Sequence, residues 1–447
     1  MCVGLLLGAV LGVAGTSGEQ EVQARNVNKP VKQNNAEHRQ PLKTAFIRQG
    51  DLWVKIGEEE QQLTHEGKAS SPKWSRDGEW IAYQTEDMLW AYGFKHKHSY
   101  PIDAKGVDYQ WSPTENLLAY RKGHRDGEIP ELWVVDIRDG VPHGQSKLSS
   151  GIDGYTWRPD GQGFVGATFA QPIEGEGFSQ PALFKIYWDA QLREVVKAKL
   201  FTLPHEVKSG KGSVWSIGVS HFRWSPDGKW LSFIVSPTAS WSMDSNVLCA
   251  LSEDGQTFLP LDEMLVQQQD WVQWAPAKNW LGYIGGGGRF VLSTSPKDMK
   301  IQEMPTANLK AAHDLTPKGM KETGFTWQDD RTLTVSRMPI YQWNNDPMKR
   351  PLPALYQINL RHPDRQKQIT HPVKHSGDFD PEYLPTAKKL SWVHYTRKPS
   401  ADLWLSEPDG SNARLYIKGI GKPSLVEWEE WDDALSVYDP HNRPNSE

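Results

Sequence analysis

One short hairpin, repeated along the chain, limits what this sequence can fold into. Its cleanest copy is Trp224-Ser-Pro-Asp-Gly-Lys-Trp-Leu-Ser-Phe233. Trp74-Ser-Arg-Asp-Gly-Glu-Trp-Ile-Ala-Tyr83 and Trp157-Arg-Pro-Asp-Gly-Gln-Gly-Phe-Val-Gly166 follow it closely. Looser copies begin at Trp111, Trp274 and Trp327. A seventh begins at Phe379, with Leu390-Ser-Trp-Val393 as its return strand, and an eighth runs from Trp428 to Tyr438. Each position has a local physical role. Proline fixes φ at the first turn position. Aspartate bonds back to nearby backbone N–H groups. Glycine takes the left-handed conformation that closes the hairpin. The residues that follow alternate in polarity, as a half-buried strand requires. The leading tryptophan gives every hairpin a large apolar surface to bury, and copies of this unit account for many of the 21 tryptophans.

Each unit has a second half. Strand-like segments follow at Leu52-Trp53-Val54, Leu89-Trp90-Ala91, Leu132-Trp133-Val134-Val135, Leu183-Phe184-Lys185-Ile186, Val247-Leu248, Phe290-Val291-Leu292, Leu355-Tyr356-Gln357-Ile358 and Leu403-Trp404-Leu405. A polar turn and a last short strand often come next, as at Glu407-Pro-Asp-Gly-Ser411 before Leu415-Tyr416-Ile417. Four short strands per unit, with units roughly 40 to 70 residues apart, predict an all-β fold of the β-propeller type. The repeat count predicts eight blades, with seven as the alternative if one loose copy is an insertion. Thr44 to Thr64 carries only the second half of a unit, and Trp428 to Tyr438 only the first. Joined, they complete one blade and close the ring without free sheet edges.

The Trp-Ser-Pro-Asp-Gly-Lys-Trp-Leu-Ser-Phe run and its companions resemble the TolB-type propeller repeat, a relative of the WD-repeat class. The resemblance extends from Thr44 to Tyr438. It implies the fold and leaves function open, because such propellers serve as binding platforms, enzyme domains and assembly factors. TolB carries an α/β domain before its propeller, whereas a polar spacer is expected here, and TolB has six blades. A role in the Tol–Pal system is therefore not implied. Prolyl-oligopeptidase-like enzymes also carry propellers, joined to a hydrolase domain for which no segment is expected here.

The 447 residues would ordinarily suggest two or three domains, but repeat units pack mainly on their neighbours. The expected layout is a signal peptide or N-terminal anchor at 1–18, a disordered polar spacer at 19–43, one propeller at 44–438 and a tail at 439–447. The apolar run from Cys2 to Gly15 suits a signal-peptide core and is short for a membrane span, although a positive leading region is missing. Cys2 precedes that core, so it is not a lipobox cysteine. Export to the extracellular space or cell envelope is the expectation, with an uncleaved anchor as the rival, and no membrane-spanning body. Only Cys2 and Cys249 are present, which excludes a disulfide scaffold. With 50 basic and 55 acidic residues, nothing points to nucleic acid.

No linear catalytic motif stands out. Gly-x-Ser-x-Gly is absent, and His65-Glu66 and His205-Glu206 lack the second histidine of a zinc-protease helix. No Ca²⁺ loop or phosphate loop appears, and Gly285 to Gly288 reads as a flexible turn. His96 and His98 would share one face of a strand, but two ligands make no firm metal site. His371 and His375, near Asp378 and Asp380, read as loop polar groups. Glu429, Glu430, Asp432 and Asp433 read as a charged turn. No cofactor and no metal are expected, and the chain is expected to be a monomer.

The chain spends extra residues at Thr168 to Pro181, Leu203 to Ser220, Ser236 to Asn246 and Ser336 to Pro353. In a propeller these fall on loops that open on one face. They carry Phe169, Phe178, Trp215, Trp241, Met243, Tyr341, Trp343 and Met348, with Asn344, Asn345, Asp346 and Arg350 nearby. Rings on loops mark either self-packing or a binding surface. The candidate ligand-binding set is Phe178, Trp215, Trp241, Tyr341, Trp343 and Arg350. The leading expectation is a binding or scaffolding propeller that recognises a protein partner or a cell-wall or other polysaccharide of the envelope. The alternative is a polysaccharide lyase or hydrolase with a site at the central channel, drawing on His124, Arg125, His221 or His375.

Overall fold

The computed structural model describes residues 41–440, apart from 87, 124–127, 176, 190–193, 210–211, 239–244, 266–270, 289–295, 305–312, 422–430 and 432. The expected signal or anchor, nearly all of the spacer, Trp428 and most of the tail lie outside the described residues. So do Trp241, Met243, His124 and Arg125.

The strands form eight four-stranded antiparallel sheets, each meandering from a first strand to a fourth. The first strands are Ala69–Trp74, Val107–Trp111, Gly154–Trp157, Gly218–Trp224, Val272–Trp274, Met320–Asp329, Gly377–Leu384 and Leu435–Tyr438, and they number blades 1 to 8. First strands of neighbouring blades touch one another, so they are the innermost strands, around the channel. The chain is an eight-bladed β-propeller.

The hairpin chemistry is as the sequence dictates. In blade 4 the Lys229 N–H donates to Asp227 at 3.0 Å, and the Trp230 N–H to Ser225 Oγ at 3.0 Å. The Gly228 N–H closes the turn on the Ser225 carbonyl at 2.9 Å, with Gly228 at φ +70°. Blade 1 repeats these bonds through Ser75, Asp77, Gly78 and Trp80. Copies that lack this aspartate reach back to their predecessor. Asn116 donates to Asp77 at 2.7 Å and Asn279 to Asp227 at 2.8 Å.

The repeated tryptophan also joins one blade to the next. Its indole N–H donates to a main-chain carbonyl of the preceding blade. The pairs are Trp74 to Ser436 (3.0 Å), Trp111 to Lys73 (3.0 Å), Trp157 to Gln110 (3.1 Å), Trp224 to Trp157 (2.9 Å), Trp274 to Arg223 (3.1 Å) and Trp327 to Gln273 (3.2 Å). The large ring therefore buries apolar area while its one polar atom stays satisfied. In blade 7 Tyr383 takes this place, and its backbone N–H donates to Thr326 Oγ1 at 3.2 Å.

Two expectations need correction. The closing blade is not split in halves. The N-terminal segment supplies three strands, Lys43–Arg48, Asp51–Ile56 and Glu59–Gln62, and the C-terminal segment only Leu435–Tyr438, paired from Lys43↔Tyr438 to Phe46↔Leu435. Leu435-Ser-Val437 is thus the innermost strand itself rather than a return strand; the return strand is Lys43–Arg48, which buries Ala45 and Phe46. A β-carbon on Gly78 would lie 2.6 Å from the Tyr438 ring, so the closing strand seats against a position that needs glycine. Second, the third strand of blade 5 is Asp298–Glu303, whereas Phe290 to Leu292 lie outside the described residues. Met299 and Ile301 alternate there with charged neighbours, a pattern less conspicuous than an apolar run.

Candidate binding face

Because adjacent strands run antiparallel, the loop between second and third strands and the link to the next blade leave from the same end of every blade. The repeat hairpins leave from the opposite end. All four long insertions accordingly emerge on one face, either between second and third strands (blades 3, 4 and 6) or between blades 3 and 4.

On blades 3 and 4, two insertions fold into hairpins of their own. Pro172–Ile173 pairs with Gly177–Phe178, and Glu206–Ser209 pairs with Gly212–Trp215. In the second hairpin Val207 and Val214 face the core cluster around Leu203 and Phe233. Strand alternation then turns Trp215 outward, and it is 49% exposed. The two hairpins meet, because a β-carbon on Gly177 would come within 3.8 Å of the Trp215 ring. Phe178, opposite Pro172, is half-buried in this junction. Phe169, 43% exposed, lies over Gly218, and the Ala170 N–H donates to the Ile217 carbonyl at 2.9 Å.

On blade 6 the loop is held by its own polar groups. Trp343 donates to Asn345 Oδ1 at 2.9 Å, the Met348 N–H to Asp346 Oδ1 at 3.0 Å, and Arg350 Nε to the Asn344 carbonyl at 2.8 Å. The Arg350 guanidinium lies 3.6 Å from the Trp343 ring centre, and that ring is 44% exposed. Tyr341 packs instead on the core shared by blades 4 to 6, with the Lys321 ammonium 4.7 Å from its ring. The structure thus sets the hairpin that carries Phe178 against Trp215, and Trp343 against Arg350. It places Tyr341 inward of both.

The channel wall carries a second group of polar residues. Ser71, Asp108, His221 and Asp380 each stand three positions before the repeat aromatic of their blade, in a bulge of the innermost strand with positive φ (51°, 49°, 56° and 43°). Gly154 and Gly324 stand at the same spacing in blades 3 and 6, without positive φ. Left-handed backbone at non-glycine residues is uncommon, and bulges re-aim side chains. Arg121 bridges Asp108 (2.8 Å) and Asp153 (3.1 Å). Burial raises the Asp153 carboxyl, Arg121 opposes this, and the net shift is upward. Burial, helped by Arg223, lowers His221 to about 4 against the pull of Asp108, so this imidazole is neutral at pH 7.

The other histidines take separate roles. Asp378, buried, accepts from His394 Nδ1 at 2.7 Å and from Trp392 at 3.1 Å. His375 stands in the link before blade 7 with φ +67°. His96 and His98 do not share a strand face. His96 sits in a turn and bonds the Tyr100 hydroxyl at 3.0 Å, and His98 opens the strand edge-on to the same ring. Among the described residues no three His, Cys, Asp or Glu side chains converge as a metal ion would require. Sequence reasoning missed Arg121, Asp153 and His394, which meet their partners only through sheet pairing or across blades.

Fold and repeat chemistry together define an eight-bladed β-propeller whose hairpins resemble those of TolB. No protein-family model matches the chain. No curated protein matches it. Among solved structures it is similar to a protein described as a TolB from Agrobacterium tumefaciens, at 10% identity over 89% of this chain and 98% of that one, with a TM-score of 0.34. It is also similar to puromycin hydrolase in two structures. A mutant complexed with PGG is 11% identical over 82% of this chain and 55% of its own, with a TM-score of 0.47. The other is 11% identical over 86% and 54%, with a TM-score of 0.46. The chain spans about half the length of the puromycin hydrolase chains.

Proposed function

We propose that this propeller is an exported binding platform that grips a polymer or protein of the cell envelope through aromatic insertions on one face. One observation carries the reading. The long insertions leave from the same end of their blades, and they present Phe169, Trp215 and Trp343 to solvent. The repeat hairpins at the opposite end are short turns, closed in blades 1 and 4 by their own Asp and Ser side chains. Flat rings beside Asn344, Asn345 and Arg350 suit stacking on sugar faces or clamping of extended peptide. The apolar segment before residue 19 supports export.

Trp215→Ala and Trp343→Ala should each reduce co-sedimentation with purified cell-envelope material by about tenfold, in line with loss of a buried aromatic anchor. Their melting temperatures should stay near that of the parent. Undiminished co-sedimentation, or unfolding of both variants, would refute the proposal.

A second reading is supported by the left-handed bulges at Asp108, His221 and Asp380. In it, the channel holds a catalytic site for polysaccharide cleavage, with neutral His221 as a proton acceptor. Release of unsaturated or reducing ends from acidic glycans, abolished in His221→Ala, would favour it over a platform.

A further inference from the structure

Apart from the insertion face, the structure contains a cavity of about 700 Å³ between blades 5 and 6. That volume suits a small ligand or one side chain with its flanks. Among the described residues no innermost strand contributes to its lining. The lining includes Trp280 and Glu303 on the second and third strands of blade 5, Asp314 and the link that follows, and Tyr356 and the 360–366 loop of blade 6.

Among the described lining residues carboxylates outnumber cations: Glu303, Asp314 and Asp364 stand against Arg337, with His313 beside them. Arg337 lies against the cavity, but Glu322 at 2.6 Å neutralises it, and Gln366 and the Leu315 carbonyl accept its remaining N–H groups. Three carboxylates remain: Glu303, Asp314 and Asp364. Among the described residues none of the three is ion-paired, and Glu303 and Asp364 accept no hydrogen bond through their carboxylates. They do not converge as metal ligands. A compact divalent ion therefore has no cage, whereas an extended cation can reach them in turn. Trp280, Leu315 and Leu360 share the same lining and supply apolar surface for a hydrocarbon stem. The aromatic walls already draw cations. The Lys278 ammonium is 3.9 Å from the Trp280 ring centre, and the Arg337 guanidinium 5.1 Å from that of Tyr356.

We infer that this cavity binds an organic cation on an apolar stem, an alkylammonium or guanidinium group, presented by a free amine or by a lysine or arginine side chain. The reading is independent of the insertion face.

The test is calorimetric titration of the full chain with hexylammonium chloride and with end-capped Ala-Lys-Ala, using end-capped Ala-Glu-Ala as the control. Binding of either cation, with the acidic peptide silent, is expected. Tighter binding of the peptide would identify a protein segment as the source, and tighter binding of the amine a small molecule. The double variant Glu303→Gln/Asp364→Asn removes two charges without breaking a protein contact. It should weaken binding at least about tenfold with the melting temperature unchanged. No heat from either cation at millimolar concentration overturns the inference. So does equal binding of the acidic peptide, unchanged affinity in the double variant, or displacement of the cations by Ca²⁺ as the preferred ligand.

Discussion

Replacing Trp157 by phenylalanine tests whether the repeat tryptophans tie blades together as well as fill space. The Trp157 ring is 3% exposed, packs tilted against Phe164 with ring centres 4.1 Å apart, and donates its N–H to the Gln110 carbonyl of blade 2 at 3.1 Å. Phenylalanine keeps an aromatic ring but removes the donor and part of the bicycle. The lost hydrogen bond is worth about 1 kcal/mol net. The smaller ring leaves a void that costs a further 1 to 2 kcal/mol, roughly. The sum of about 2 to 3 kcal/mol clearly exceeds the ~0.5 kcal/mol spread of ordinary surface substitutions. The assay is urea denaturation. The midpoint of Trp157→Phe should fall while the slope is kept, since the same surface is exposed on unfolding. Trp343→Phe is the matched control, because its ring is half in solvent and its N–H bond is local to the loop. If the two variants lose equal stability, or Trp157→Phe loses none, the indole ladder is not what joins the blades.

Two further outcomes follow from the same contacts. Burial tends to raise Asp227, but hydrogen bonds from Asn279, Lys229 and Ser225 outweigh it, so its folded-state carboxyl lies below the ordinary 3.8. Its stabilisation is complete above that value and is lost as pH falls further. Asp227→Asn should therefore cost about 1 kcal/mol at pH 7 and flatten the acid limb of a stability-versus-pH curve; an acid limb identical to the parent's would contradict this. Ending the chain before Leu435 removes the closing strand, the carbonyl that Trp74 bonds, and the ring packed on Gly78. A loss of about 3 to 5 kcal/mol and rapid proteolysis near residues 43–62 are expected, and an unaltered urea midpoint would show that the ring closes by other means.

The hairpins were legible because their chemistry is local. Trp224-Ser-Pro-Asp-Gly-Lys-Trp230 contains the donor, the acceptor and the left-handed residue that its turn requires. The strand after it declares itself by alternation, and so a unit could be read even at Phe379, where tryptophan is absent, whereas Leu435–Tyr438, expected as a return strand, is an innermost strand. The strand at Asp298–Glu303 was missed because Met299 and Ile301 stand among charges. The face bearing the insertions was also legible, since antiparallel alternation fixes which loops share an end. Which rings reach solvent was not. Trp343 and Tyr341 lie two residues apart in one loop, yet one stacks on Arg350 in the open and the other rests on the core.

The sequence by itself determined the repeated unit, its turn geometry and the joining of the two ends into one sheet, and it narrowed the blade count to eight or seven. Tertiary structure alone decided that this join is three strands against one, which carbonyl each indole finds, and that Glu303, Asp314 and Asp364 share a cavity between blades 5 and 6. The reason is range. A turn is set by dihedral preferences and hydrogen bonds within a few residues. The Trp74–Ser436 bond and the Glu303–Asp364 wall depend instead on how whole sheets settle against one another, which no local pattern encodes.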